Sequence, residues 1–139
     1  MQHGSVRISR QQLEYFRKQA RDSKKECLAY FLGEVVSPEL AIVKRLYYPK
    51  TFRLQTTCSV AASDEECAKV YALAESLNLR IIGTIHSHPD WVPILSPTDY
   101  KEHIKMGDRL SAVVGVNGRK TRVYFWVAES ALPLKIEYI

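Results

Sequence analysis

The chain has 139 residues, of which 46% are hydrophobic and 25% are charged, and it carries a net charge of +5. This length fits one compact domain, and the composition excludes a disordered or fibrous chain. Basic residues are spread along the sequence and no apolar run approaches the roughly 18 residues of a membrane span, so we expect a soluble, cytoplasmic protein without nucleic-acid or membrane partners.

The first third of the chain predicts a helix followed by a strand hairpin. Residues 1–5 are interpreted as a start segment or cloning remnant and are left out of the predicted fold. Ser9 begins a capping box, and the apolar spacing behind it predicts a helix over residues 10–22. The nearly continuous apolar run 27–36 predicts a buried strand, and residues 41–48 predict a second strand that pairs back on it.

The middle third predicts a short strand, a helix and a buried strand. A strand is predicted near residues 56–61, and Ser63 begins a second capping box before a helix that continues to Asn78. Residues 80–86 predict a buried strand. The predicted apolar face of the helix comprises Cys67, Val70, Tyr71, Ala74 and Leu77.

The last third predicts a third helix and three strands. An irregular, proline-rich segment precedes a helical pattern that continues to Gly107. Strands over 110–116 and 119–127 flank Asn117-Gly118, a two-residue turn that favours positive φ. Alternating apolar residues over 132–138 predict a final strand. The whole pattern predicts an α/β domain with a mixed sheet of six or seven strands and about three helices.

The predicted strand over 80–86 leads into His86-Ser87-His88. Residues two apart in a strand project from the same face, so the two imidazoles can converge on one ion. A catalytic zinc ion takes three such protein ligands and keeps one position for water, and Asp99 can supply the third. Such a histidine pair also occurs by chance, and Ser96 to Asp99 is by itself a good helix start, so the residues alone leave both interpretations open.

The complete run is His86-Ser87-His88, seven residues, Ser96, two residues and Asp99. It resembles the signature of the JAMM metalloproteases, also called MPN-plus domains, which is His-(Ser/Thr)-His, seven residues, Ser, two residues, Asp. The resemblance covers most of the chain and implies a single JAMM domain over residues 1–139 with a mixed, cytidine-deaminase-like α/β fold. It implies one catalytic zinc ion held by His86, His88 and Asp99, with Ser96 as a hydrogen-bond donor beside the metal-bound water.

The resemblance also implies a glutamate base on an earlier strand, followed by a small residue three positions later and a glycine seven positions later. Glu26, Ala29 and Gly33 resemble this pattern, with Ala29 where glycine is more usual, so Glu26 is predicted as the general base. Glu34 is the alternative base, and the plain alternative for Glu26 is the solvated end of a charged run. His103 is interpreted as a surface or outer-shell histidine, because a fourth ligand would leave no water to activate.

Members of the JAMM family characteristically cut the bond after the C-terminal Gly-Gly of ubiquitin or a ubiquitin-like protein. The resemblance therefore implies a ubiquitin-like or sulfur-carrier protein, or its conjugates, as the partner. Trp91 and Leu95, in the loop between the ligands, are candidates to line a groove for the extended tail. Few residues remain for the insertions that grip ubiquitin chains in eukaryotic deubiquitinases, so a minimal, prokaryote-like domain is expected.

Two other functions compete with this one. A noncatalytic MPN scaffold domain would have lost metal ligands that this chain keeps. A RadC-type, DNA-associated protein shares the metal pattern, but its histidine pair is typically separated by Asn and followed by Pro-Ser-Gly. Ser87 and Pro89-Asp90 argue against the RadC type.

Overall fold

The computed structural model of the protein describes residues 4–89, 110–127 and 133–139. Within these ranges the elements in chain order are β1 (Ser5–Ile8), α1 (Arg10–Asp22), β2 (Leu28–Ser37), β3 (Leu40–Tyr47), β4 (Phe52–Gln55), β5 (Val60–Ala62), α2 (Asp64–Ser76), β6 (Arg80–His88), β7 (Leu110–Asn117), β8 (Lys120–Val127) and β9 (Lys135–Tyr138). Seven strands form one mixed sheet in the order β8-β7-β6-β2-β3-β1-β9, and β4 pairs with β5 separately.

The mixed α/β fold is confirmed, with two helices in the described part of the chain where about three were expected. The third predicted helix, which was to continue to Gly107, lies outside the described residues. Among the helices that the structure describes, none is long and apolar enough to cross a membrane.

Both predicted helix starts are confirmed. Ser9 and Ser63 are the N-caps of α1 and α2, and each hydroxyl accepts a hydrogen bond from the backbone N–H three residues later, at 3.3 and 3.2 Å. These bonds satisfy donors that have no partner inside the helix. The two caps therefore fix where each helix begins.

The predicted apolar face of α2 is partly wrong. Val70 and Ala74 are buried, but Tyr71 and Leu77 are 66% and 39% exposed. The helix turns about 100° per residue, so the face centred on Val70 and Ala74 points Tyr71 away from the sheet. The third buried position of this face is taken by Glu66, four residues before Val70.

The β2–β3 and β7–β8 hairpins are confirmed as antiparallel pairs. The second turn is displaced by one residue from its predicted place, because Asn117 pairs with Lys120 and leaves Gly118 and Arg119 as the turn. Gly118 has φ of +63°, a value that glycine adopts at little cost. Glycine therefore takes the first of the two turn positions and asparagine stays in the strand.

The single strand predicted near residues 56–61 is wrong. A hairpin replaces it, formed by β4 and β5 with a tight turn between them. The Thr56 N–H donates to the carbonyl of Ser59 at 2.8 Å, and the Thr56 hydroxyl accepts from the N–H groups of Cys58 and Ser59. These local side-chain bonds compete with an extended ladder and turn the chain at Thr56.

The first residues of the chain belong to the fold, so leaving out residues 1–5 was wrong at Gly4 and Ser5. Ser5 begins β1, which lies between β3 and β9 and runs parallel to both. The Gly4 carbonyl accepts a hydrogen bond from the N–H of Lys135 at 2.8 Å. Val6 and Ile8 are fully buried, so β1 contributes to the core as well as to the sheet.

The core lies on both faces of the seven-stranded sheet. The larger cluster packs α1 against one face and includes Phe16, Phe31 and Phe125, the last two stacked with ring centroids 5.7 Å apart. The smaller cluster lies under α2 and includes Leu32 and Val70. Strand β6 runs between β2 and β7, so its last residues lie well inside the sheet and away from its edges.

Candidate metal centre

The C-terminal end of strand β6 places two histidine side chains side by side. His86 lies opposite Leu28 of the antiparallel strand β2, and both His86 and His88 pair in parallel with β7. The Nε2 atoms of the two rings are 3.2 Å apart and the ring planes meet at 63°. His88 is 8% exposed and His86 is half-buried, so the pair sits in a sheltered position that solvent still reaches.

Glu26 joins this pair. It stands two residues before Leu28, so continuing the β2–β6 register sets it opposite His88, on the same face of the sheet. One potential ligand atom from each of Glu26, His86 and His88 lies within 4.8 Å of the other two. Glu26 is only 4% exposed, which rules out the interpretation as the solvated end of a charged run. Glu34 is exposed farther along β2 and is not part of this cluster.

Four hydrogen bonds hold the backbone around Glu26. The Glu26 N–H donates to the carbonyl of Thr56 at 2.8 Å, and the Glu26 carbonyl accepts from Nε2 of Gln55 at 3.0 Å. The Cys27 N–H donates to Oγ of Ser87 at 2.8 Å, and the Ser87 N–H donates to the Cys27 carbonyl at 3.1 Å. The turn after β4 and the middle residue of the histidine motif therefore both hold the segment that carries Glu26.

The sequence interpretation missed the parts that Ser87 and Gln55 play. A serine in a buried strand is a usable signal, because a polar group there needs a partner. Gln55 carries no comparable signal, since glutamine in a half-exposed hairpin is ordinary. Only the packing of the β4–β5 hairpin against the start of β2 brings it to Glu26.

The geometry of the donors fits a zinc ion. Zinc binds imidazole nitrogen at about 2.0 to 2.1 Å in a tetrahedral arrangement, which sets two ligand nitrogens about 3.3 Å apart. The observed separation of the two Nε2 atoms is 3.2 Å, a distance that a hydrogen bond between the rings also allows. Two imidazoles with a carboxylate form a donor set that zinc accepts, as other divalent transition metals also do.

The structure thus brings together three of the predicted site residues, namely Glu26, His86 and His88. The remaining predictions fall on residues that the structure does not describe. These are Trp91, Leu95, Ser96, Asp99 and His103.

Three comparisons with known proteins extend this description. A family model described as "Prokaryotic homologs of the JAB domain" matches residues 9–129. Among curated proteins, none matches the sequence.

Two solved structures share the architecture. A protein from Desulfitobacterium hafniense, determined in solution, is 16% identical with a TM-score of 0.76, and the match covers 96% of this chain and 92% of that one. The crystal structure of a JAB1/MPN domain protein from Archaeoglobus fulgidus is 13% identical with a TM-score of 0.60 and full coverage of both chains. At these identities the likenesses support a shared fold and nothing finer.

Proposed function

Because the chain belongs to the prokaryotic homologs of the JAB domain, as its motif indicates, we propose that it is a zinc metalloprotease. Its reaction is the hydrolysis of a peptide or isopeptide bond at the C-terminal tail of a ubiquitin-like or sulfur-carrier protein. Membership in the family supports the MPN fold of the domain. The catalytic activity and the substrate are the proposal.

The observation that carries the proposal is the clustering of Glu26 with His86 and His88. Each of the three side chains offers one potential ligand atom, and these atoms lie within 4.8 Å of one another. Two imidazoles and a carboxylate at that spacing can face one divalent cation. Glu26 stands just before β2 and the histidines at the end of β6, so the fold brings distant parts of the chain to one point.

The chain's own residues divide the work. His86, His88 and Asp99 would hold the metal, which would lower the pKa of a water molecule and polarise the scissile carbonyl. Glu26 takes a proton from the attacking water and returns it to the leaving amine. Ser96 donates a hydrogen bond to the developing oxyanion. The parts of Asp99 and Ser96 rest on their spacing from the histidines in the sequence.

The substrate tail is expected to bind in an extended form, with Trp91 and Leu95 lining its path. An extended tail allows its scissile bond, which small residues flank, to approach the sheltered carboxylate of Glu26. This assignment rests on the resemblance to the JAMM family and on the position of the two residues between the ligands.

The test compares bound zinc and cleavage for the wild type, Glu26→Gln, His88→Ala and Glu34→Gln. The probes are ubiquitin-like proteins and a sulfur-carrier protein, each fused through a C-terminal Gly-Gly to a reporter. We expect about one zinc per chain in the wild type. Glu26→Gln should keep the zinc and lose on the order of 100-fold or more in kcat, as loss of a general base does.

His88→Ala should lose both the zinc and the cleavage. Glu34→Gln is the matched control, because Glu34 is an exposed glutamate on β2, the strand that follows Glu26, and it should behave as wild type. A wild type without zinc, or equal cleavage by all four proteins, contradicts the proposal. Zinc without cleavage of any probe contradicts the proposed protease activity on these substrates and leaves a metal centre without it.

A further inference from the structure

Glu26 lies just outside the regular part of the sheet. Strand β2 begins at Leu28, two residues later, so Glu26 lies beyond the regular ladder between β2 and β6. Its N–H donates to the carbonyl of Thr56, in the turn after β4, and its C=O accepts from the side chain of Gln55, the last residue of β4. The position of this carboxylate thus depends on contacts other than strand pairing.

The hydroxyl of Ser87 binds the backbone of Cys27, the residue that follows Glu26. In a regular antiparallel ladder, residues that face each other as Cys27 and Ser87 do exchange two backbone hydrogen bonds. Here the Ser87 N–H makes one of them, while the Cys27 N–H donates to the Ser87 hydroxyl at 2.8 Å. The side chain of Ser87 therefore does what a backbone carbonyl does elsewhere in the sheet.

The direction of the Ser87 side chain separates it from the metal site. Successive strand residues point to opposite faces, so Ser87 points away from the face that carries His86 and His88. It is 1% exposed and contacts the chain segment of Glu26 through the backbone of Cys27. The Ser87 hydroxyl thus reaches Glu26 through the Glu26–Cys27 peptide, to which it is hydrogen-bonded.

We propose that Ser87 and Gln55 are positioning residues, which clamp the Glu26–Cys27 peptide from two sides and so hold the Glu26 carboxylate beside the two histidines. The inference rests on the proposed function, since it gives these residues a part in the same reaction. A displacement of about 1 Å in a catalytic group can cost on the order of 100-fold in rate. Residues that orient a metal site at one remove typically matter by about 10- to 100-fold.

The test uses Ser87→Ala, which removes the hydroxyl, and Ser87→Thr, which keeps it on a side chain suited to strands. For zinc-loaded protein acting on the fusion probes, we expect Ser87→Ala to lower kcat by about 10- to 100-fold with KM within about twofold and zinc content as in wild type. Ser87→Thr should restore kcat to within about threefold of wild type, because its hydroxyl still accepts the Cys27 N–H.

A second readout does not depend on activity. Exchange of the Cys27 amide hydrogen, followed by NMR, should be about tenfold faster in Ser87→Ala than in wild type and normal in Ser87→Thr. Ser111→Ala is the structural control, since Ser111 is a buried serine, 4% exposed, on the neighbouring strand β7. It should lower stability without changing kcat or the Cys27 exchange rate.

Gln55→Met provides an independent arm if Ser87→Ala does not fold. Methionine keeps the length of the side chain and removes the donor to the Glu26 carbonyl, and Gln55 is only half-buried, so the hairpin should tolerate it. We expect a loss of kcat of about 10-fold with unchanged zinc content. Gln11→Met, at an exposed position of α1, is the matched control and should leave kcat unchanged.

Wild-type kcat in both Ser87→Ala and Gln55→Met overturns the inference. A loss of kcat in Ser87→Ala also overturns it, if Ser87→Thr does not restore kcat and the loss accompanies lost zinc or lost stability. That result indicates a structural role. If the wild type cleaves no probe, the proposed function fails first. The exchange rate of the Cys27 amide hydrogen then tests by itself whether Ser87 holds the Glu26–Cys27 peptide. An unchanged exchange rate in Ser87→Ala overturns the inference.

Discussion

Glu66 is the most deeply buried acidic side chain among the residues that the structure describes, at 1% exposure. It lies in the first turn of α2, where the Tyr47 hydroxyl donates to Oε2 and Nζ of Lys69 lies 3.6 Å from Oε1. The N-terminus of a helix also favours a negative charge. These partners explain how a carboxylate occupies a place on the helix face that faces the sheet.

The hydrogen-bonded pair of Tyr47 and Glu66 predicts that the stability of the protein depends on pH in both the acidic and the alkaline range. The hydrogen bond from Tyr47 lowers the pKa of Glu66 below its ordinary 4.5, so the stability that Glu66 contributes is present above that value and is lost as pH falls through the lowered pKa. Burial, with the bond to Glu66, raises the pKa of Tyr47 from 10.0 to about 12. Its contribution is therefore complete below pH 10.0 and is lost as pH rises toward 12.

We expect Tyr47→Phe to flatten both arms of this curve, because it removes the bond that shifts both groups. The measurement is the free energy of unfolding in urea across the pH range, for the wild type and the variant. Tyr71→Phe is the control, since Tyr71 is an exposed tyrosine on α2, and it should keep the wild-type curve. Equal slopes in wild type and Tyr47→Phe would show that the pair does not couple stability to pH.

Strands β6 and β7 approach each other closely at Gly83. An ideal Cβ on Gly83 would lie 1.6 Å from the carbonyl oxygen of Leu110, a backbone atom that cannot swing aside. The same strand carries the two histidines three and five residues later. Gly83 therefore allows the strand of the metal centre to pack in the middle of the sheet.

We expect Gly83→Ala to destabilise the protein by at least ~3 kcal/mol, because the extra methyl group forces β6 and β7 apart. Gly118→Ala should cost about 1 kcal/mol, since Gly118 has a positive φ but nothing within 4 Å of an added Cβ. Urea unfolding of both variants measures the difference. A Gly83→Ala protein as stable as Gly118→Ala would mean that the two strands separate at little cost.

At the scale of the whole molecule, the candidate centre joins parts of the chain that are far apart in sequence. A hydrogen bond between Cys27 and Ser87 joins the segment of Glu26 to the segment of the two histidines, and these two residues are sixty positions apart. The cluster beside them thus exists only when β2 and β6 are paired, and the unfolded chain has no comparable site. Metal binding to such a site adds to the free energy of folding.

We therefore expect zinc to raise the melting temperature of the protein and a chelator to lower it. A ligand that binds only the folded state adds about 2.7 kcal/mol when its concentration is 100 times its dissociation constant. His88→Ala should show no such shift, and Glu26→Gln should keep it if Glu26 is a base and not a ligand. Equal melting temperatures with and without zinc in the wild type would argue against a metal centre. A lost shift in Glu26→Gln would make Glu26 a ligand.

Patterns in the sequence were sufficient to predict the features whose physical causes are local. Ser9 and Ser63 bond to the N–H three residues ahead, and alternation or apolar runs follow from the geometry of a single strand. The convergence of His86 and His88 is local in the same sense, because residues two apart in one strand share a face. The family also followed from local spacing, and the match over residues 9–129 confirms it.

Tertiary structure alone decided which chain segments meet. Both Glu26 and Glu34 flank the apolar part of one strand, and only the register of β2 against β6 sets Glu26 beside the histidines. The contacts of Ser87 and Gln55, like the pairing of β1 with β9, join residues with no local signal for one another. Local pattern determines which residues form an element, because its causes lie within a few positions. Pairing and register depend on which distant apolar faces bury each other, and this is a property of the whole chain.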